Sequence, residues 1–92
     1  MEFEWDTVKA TQNFAKHGVL FEYAVRLFLD PNRIDQEDNR RDYNEERHIS
    51  LGTIEGRLFA VVYTQRGNAI RLISARKAND REQRQYDKAL SD

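Results

Sequence analysis

The sequence predicts one α+β domain spanning residues 1–92: two N-terminal helices, an antiparallel sheet of three to four strands, and a C-terminal helix. Three observations predict it. Apolar residues recur at helical spacing from Phe21 to Phe28, the period changes to two from Glu45 onward, and a polar segment with one thin apolar stripe follows Ala78. Ninety-two residues with one proline and four glycines leave room for a single modest core.

Asp6 and Thr7 can cap a helix starting at Thr7 or Val8, and Lys16-His17-Gly18 ends it with cations in the last turn and a glycine beyond. Val8, Ala10, Phe14 and Ala15 form its apolar side, and Lys9, Asn13 and Lys16 predict an outward polar stripe. Phe21, Ala24, Val25 and Phe28 predict a second helix, stopped where Asp30 precedes Pro31. Asn32 to Glu46 is dominated by Arg, Asp, Asn, Glu and Gln, and reads as a long loop with one weak edge strand around Arg33–Gln36.

Ile49 and Leu51 then share one strand face with Arg47, and His48 and Ser50 oppose them. Gly52 to Gly56 reads as a hairpin connection. Arg57–Gln65 is almost continuously apolar, as a central strand covered on both faces should be. Gln65-Arg66-Gly67-Asn68 turns the chain into a strand over Ala69–Ala75, where Ile70, Leu72 and Ser74 share the parity of Arg76. The last helix, Ala78 to Leu90, places Ala78, Glu82, Tyr86 and Leu90 along one stripe.

Composition narrows the class. With no cysteine there are no disulfides and no thiolate metal sites, which suits a reducing cytosol. No apolar run approaches the roughly 20 residues needed to span a bilayer. The acidic, aromatic start Met1–Asp6 is unlike a secretory signal, so the expectation is a cytoplasmic protein without membrane association. A mean hydropathy of −0.87 makes the chain polar for its size, so a partner surface would add to a thin core. The net charge of −1 hides an asymmetry: residues 1–56 carry 7 Lys/Arg against 12 Asp/Glu, and residues 57–92 carry 8 against 4. The basic second half either keeps a small domain dispersed or offers phosphates a surface that releases counter-ions.

No phosphate-cradling glycine loop, metal-binding histidine pair or nucleophile elbow occurs. The Arg, Lys, Glu, His and Tyr residues near the strands suit RNA cleavage by the neighbouring 2′-hydroxyl, which needs a base, an acid and positive donors around the phosphorane, and calls for no metal or cofactor. Arg76 and Lys77 precede a helix N-terminus where a phosphate would meet charge and backbone N–H groups together; equally, Arg76 could pair with a carboxylate across the sheet. Glu45 and Arg47 are either an intrastrand pair or a proton-handling carboxylate beside a phosphate-holding cation. Lys16 and His17 are either helix-end cations or an acid and an electrophile. Lys9, Arg57, Arg66 and Lys77 are candidate RNA-backbone contacts. Trp5 and Tyr63 are hydrophobic anchors or stacking platforms, Tyr63 with its hydroxyl able to reach solvent.

Several phrases recur in one known order. They are Phe3-Glu4-Trp5-Asp6 with Lys9, Asn13 and Lys16-His17-Gly18-Val19; Phe21-Glu22 with Ala24; and Phe28 with Asp30-Pro31. Glu46-Arg47, Gly52, Arg57, Val61-Val62-Tyr63-Thr64, Arg66-Gly67 and Ile73-Ser74-Ala75-Arg76-Lys77-Ala78 with Glu82 and Tyr86 complete the set. The chain resembles the BrnT family over almost its whole length. The resemblance implies a RelE-like fold and a bacterial type II toxin that cleaves RNA without the ribosome. It also implies a BrnA-type antitoxin that neutralises it in a hetero-oligomer, and operator DNA reached only through that antitoxin. It raises Arg47 and Arg76 first, then Lys16, His17 and the Glu45-Glu46 pair. Two departures stand out: Leu20 occupies a position that is often a capping serine, and Asn32–Asp42 is unusually polar. The competing class is a non-catalytic module acting only as the partner of a DNA-binding protein. A stand-alone DNA binder fits less well, for want of a helix-turn-helix signature.

Overall fold

The computed structural model describes residues 1–38 and 46–92. A short strand β1 (Glu2–Glu4) leads into α1 (Thr7–His17). Asp6 starts α1 as its residue type suggests, its carboxylate accepting from the N–H groups of Val8 at 2.8 Å and Lys9 at 3.1 Å. Gly18 ends it in the left-handed region at φ 70°, its N–H donating to the Phe14 carbonyl.

The predicted second helix is shorter than its apolar spacing suggested. Only α2 (Phe21–Ala24) is α-helical, and Val25–Leu29 tightens into a 3₁₀ turn. Leu20 offers no capping side chain, and Asp30 must be extended before Pro31, so both ends erode a two-turn helix. The spacing still orients the residues, for Phe21, Ala24, Leu27 and Phe28 are buried and Leu29 is exposed.

Five strands rather than three or four form one mixed sheet. The remaining elements are β2 (Ile34–Glu37), β3 (His48–Ile54), β4 (Arg57–Arg66), β5 (Ala69–Lys77) and α3 (Asp80–Ser91), and the strand order is β1-β5-β4-β3-β2. β1 lies parallel to β5, whereas the other neighbours are antiparallel. β1 is unexpected from the sequence, because three residues before a cap are too few to show a period. The edge strand expected near Arg33–Gln36 is present as β2. The rest of the expected polar loop, residues 39–45, lies outside the described residues, and Glu45 with it.

The β3–β4 connection is also tighter than Gly52–Gly56. Glu55 and Gly56, at φ 52° and 82°, make a two-residue turn of the kind whose twist matches a hairpin. Gly52 instead sits within β3 opposite Phe59, so close to the 3₁₀ turn that a Cβ there would lie 2.9 Å from the Leu27 carbonyl oxygen.

The helices cover both faces. On one, Val19, Phe21, Ala24, Leu27 and Phe28 pack on Phe59, Val61, Tyr63, Ile70, Leu72 and Ala75. On the other, Tyr86 of α3 packs on Leu51, Leu58 and Ala60. Asp30 ties the layers together, accepting from the Thr53 N–H, the Thr53 hydroxyl and the Tyr86 hydroxyl. β4 is buried from Leu58 to Thr64, as a central strand should be. No helix among the described residues is long and apolar enough to cross a membrane.

Asn13 departs most from expectation. Its predicted place on an outward stripe is wrong: it is the buried residue of α1. Its side-chain NH₂ donates to the carbonyls of Val19 at 3.1 Å and Ala75 at 2.9 Å, and its side-chain oxygen accepts from the Ala75 N–H at 3.0 Å. β1 pairs with β5 only at Ala69–Arg71, and further along the same strand the Asn13 amide stands in for a neighbouring strand.

Candidate active site

Arg76 reaches its position through a bulge. Val62 pairs with Ser74 but Tyr63 pairs with Leu72, which leaves Ile73 as an extra residue and reverses the alternation of β5. Arg76 therefore does not share a face with Ile70 and Leu72, as strict parity predicts, but lies opposite Ala60 on the α3 side. There its guanidinium meets Glu82 in a two-pronged pair, Nη1 to Oε1 at 2.7 Å and Nη2 to Oε2 at 2.9 Å.

Glu82 has a second task. Its carboxylate accepts from the Asn79 N–H while the Asn79 side chain accepts from the Glu82 N–H, closing a capping box at the start of α3. The helix thus begins at Asp80 rather than Ala78. Two of the backbone donors expected to be open to a phosphate are already used. The Asn79-x-x-Glu82 spacing is the signal in the sequence for this second task of Glu82, a residue otherwise marked only by the helix stripe and the family phrases.

Beside the pair opens a cleft of about 240 Å³ whose lining includes Gln36, Asp38, Arg76, Arg81, Glu82 and Gln85. Ile49 and Leu51 form part of its floor, and Arg47 belongs to their face by strand alternation. The Arg47 carbonyl accepts from the Asp38 N–H at 2.7 Å, carrying the β2–β3 ladder one step past the strand ends. Leu51 is on the rung of Arg76, so Arg47 stands four residues, about 13 Å, further along β3.

His17 approaches from the other side of β5. Burial first, then the charges of Lys16 and Arg76, hold its imidazole below the ordinary histidine value, so it is neutral at pH 7. The α1 terminus is thus brought electrostatically into the neighbourhood of Arg76.

The remaining candidates divide. Arg57 and Lys77 share the lining of a second cleft, about 300 Å³, at the same end of the sheet. Arg66 lies at the other end of the ten-residue strand β4, about 30 Å from Arg57, with its guanidinium 3.8 Å from Glu4. A continuous basic track through both is not what the strand allows. Lys9 is exposed on α1. Tyr63 is buried rather than open: its hydroxyl donates to Asp35 at 2.9 Å, and its ring lies between His48, stacked at 5.3 Å, and Phe28, edge-on at 5.5 Å. A base could stack on Tyr63 only by displacing one of them. Burial and the Asp35 carboxylate push its hydroxyl up to about 12. Trp5 is half-buried and meets Phe21 edge-on at 5.8 Å, the anchoring role.

A family model described as the ribonuclease toxin BrnT of type II toxin–antitoxin systems matches residues 5–82. The chain belongs to that family. Its match runs from Trp5 to Glu82, so the BrnT portion includes α1, the whole β3–β5 meander and both members of the Arg76–Glu82 pair. No curated relative matches the sequence. Membership in the BrnT family makes the chain a toxin of a two-component system, with an antitoxin as its partner.

Proposed function

We propose that this chain is a cytoplasmic endoribonuclease that cuts RNA by attack of a 2′-hydroxyl on the adjacent phosphorus, without a metal ion. The 2′ oxygen forms the new bond to phosphorus and the bond to the 5′ oxygen breaks, leaving a 2′,3′-cyclic phosphate and a free 5′-hydroxyl. The supporting observation is Arg76, a forked cation at a cleft, within electrostatic reach of a histidine held neutral. In this reading His17 accepts the 2′ proton and Lys16 supplies one to the departing 5′ oxygen. Arg76 and Arg47 hold the phosphorane, exchanging Glu82 for the phosphate in the case of Arg76. Glu45 is the proton-handling carboxylate of this reading, and Lys9, Arg57 and Lys77 are its RNA-backbone contacts, with Arg66 a separate contact at the far end of β4. Arg57 and Lys77 suit a strand that leaves the cleft around the end of the sheet. A BrnA-type antitoxin neutralises the toxin, and the pair represses its own operon through the antitoxin.

The test is cleavage of single-stranded RNA by the purified chain in EDTA. Arg76→Ala and Arg47→Ala should each lower the rate at least 100-fold while circular dichroism stays native. Undiminished cutting by both variants overturns the site, and an absolute metal requirement overturns the mechanism. The Arg76–Glu82 pair also fits a purely structural role, which favours the non-catalytic module. Arg76→Gln combined with Glu82→Gln separates the two, because a structural pair is replaced by a neutral one of like shape whereas a catalytic cation is lost.

A further inference from the structure

We infer that the cleft between α1 and the start of α2 is where the antitoxin docks, receiving an amphipathic segment with apolar anchors and a basic rim. The inference rests on family membership, which implies such a partner, and not on RNA cleavage.

The cleft measures about 330 Å³, and Trp5, Ala10, Phe14, Leu20 and Phe21 form its apolar wall. Its largest exposed groups are Phe14, at 49% of its surface, and Leu20, at 50%. α1 turns Asn13 and part of Ala10 to the core, while Val8 and Phe14 face outward. An apolar helix flank of this kind on a 92-residue chain is the composition expected of a surface that another protein covers.

Leu20 carries a second sign. It occupies the N-cap position of α2, where a serine, threonine or aspartate would accept a backbone hydrogen bond, and it makes none. A half-exposed leucine there forgoes a cap and adds apolar surface to the cleft. Local stability alone favours the opposite choice.

Charge identifies the class of occupant. Glu22 lines the cleft, and neither Lys nor Arg does so among the described residues. Asp6 stands exposed at the same end of α1, its carboxylate held ionised by the N–H groups of Lys9 and Val8. An acidic-rimmed apolar cleft repels a phosphate backbone and attracts a protein segment with Lys or Arg beside its anchors. Arg57 and Lys77 line a different cleft, at the end of the sheet that carries Arg76.

The experiment is calorimetric titration of the purified cognate antitoxin into this chain and three variants, with RNA cleavage and thermal unfolding measured alongside. Leu20→Ser should leave Tm unchanged or raised, because it restores a cap, yet weaken antitoxin binding at least tenfold. Phe14→Lys should weaken it at least 50-fold. Leu90→Lys, on the far helix α3 with a similar exposed fraction, should bind as the parent does. RNA cleavage by the free Leu20→Ser chain should be within threefold of the parent. Antitoxin affinity within threefold of the parent in both Leu20→Ser and Phe14→Lys overturns the inference. So does a loss confined to self-association of the free chain, which would make a second copy the occupant, or a loss confined to RNA cleavage, which would make the cleft part of the substrate site. Because the antitoxin titration is read without RNA, failure to cleave RNA would count against the proposed activity and leave the docking result standing.

Discussion

Removing the Asn13 amide should cost this chain a large part of its stability, although Asn13 is polar and was expected on the solvent side of α1. In Asn13→Ala three hydrogen bonds disappear together, and the Val19 carbonyl, the Ala75 carbonyl and the Ala75 N–H lose a buried partner. At about 1 kcal/mol for each net bond the loss is about 3 kcal/mol, and more wherever water cannot reach the orphaned group. For a domain of this size that corresponds to a Tm about 12–24 °C lower. Asn13→Asp sharpens the test. An ionised carboxylate retains the bond from the Ala75 N–H but faces two carbonyl oxygens without a donor, so its carboxyl must be pushed above its unfolded value. That cost is small below the unfolded value, grows as pH rises between the two, and is felt in full only above the raised folded value. Urea unfolding of the three proteins, followed by circular dichroism at pH 4 and pH 7, measures both effects. A loss below about 1 kcal/mol in Asn13→Ala, or an Asn13→Asp deficit that does not grow with pH, would refute the strand-mimic argument.

Asp30 should govern the acid side of stability. Burial pushes its carboxyl up, but donors from Tyr86, Thr53 and Asn32 outweigh burial and hold it below the ordinary 3.8. Its contribution is present above the unfolded value and is lost as pH falls through the lower folded one; Tyr86→Phe should cost about 1.5–3 kcal/mol at pH 7 and narrow that acid margin in pH-dependent urea unfolding. Gly52→Ala places a Cβ 2.9 Å from a backbone oxygen that cannot swing aside, and should lower stability by about 1–3 kcal/mol in thermal melts. In the cleavage assay, the rate should fall on the acid side with a midpoint below 6.5, because His17 must be neutral to accept a proton. Arg76→Gln should move the midpoint of any residual activity upward, since one of the charges depressing His17 is gone; an unmoved midpoint would detach His17 from that limb.

Much of the local structure could be read from residue type alone. Asp6 and Gly18 bound α1 as capping chemistry requires, the apolar run of β4 marked the central strand, and the alternation around Ile49 and Leu51 held through β3. These signals depend on neighbours within one turn or one strand, and the sequence contains those neighbours. The family phrases likewise sit in linear order, and Arg76 is carried by one of them.

Other features depended on residues distant in the chain. Whether Asn13 faced water or Ala75 depended on how far β1 extends along β5, and no helical period encodes that. The bulge at Ile73 moved Arg76 to the other face of the sheet, where Glu82 and the cleft are, because one inserted residue reverses every later side chain. Tyr63 was enclosed by His48 and Phe28, which are 15 and 35 residues away in the chain. Residue types and their spacing by themselves determined the α+β class, the ends of α1, the family and Arg76 as the residue to test. The tertiary structure alone decided which carboxylate holds that arginine and which apolar flank of α1 was left for a partner, because both follow from packing between elements rather than from period within one.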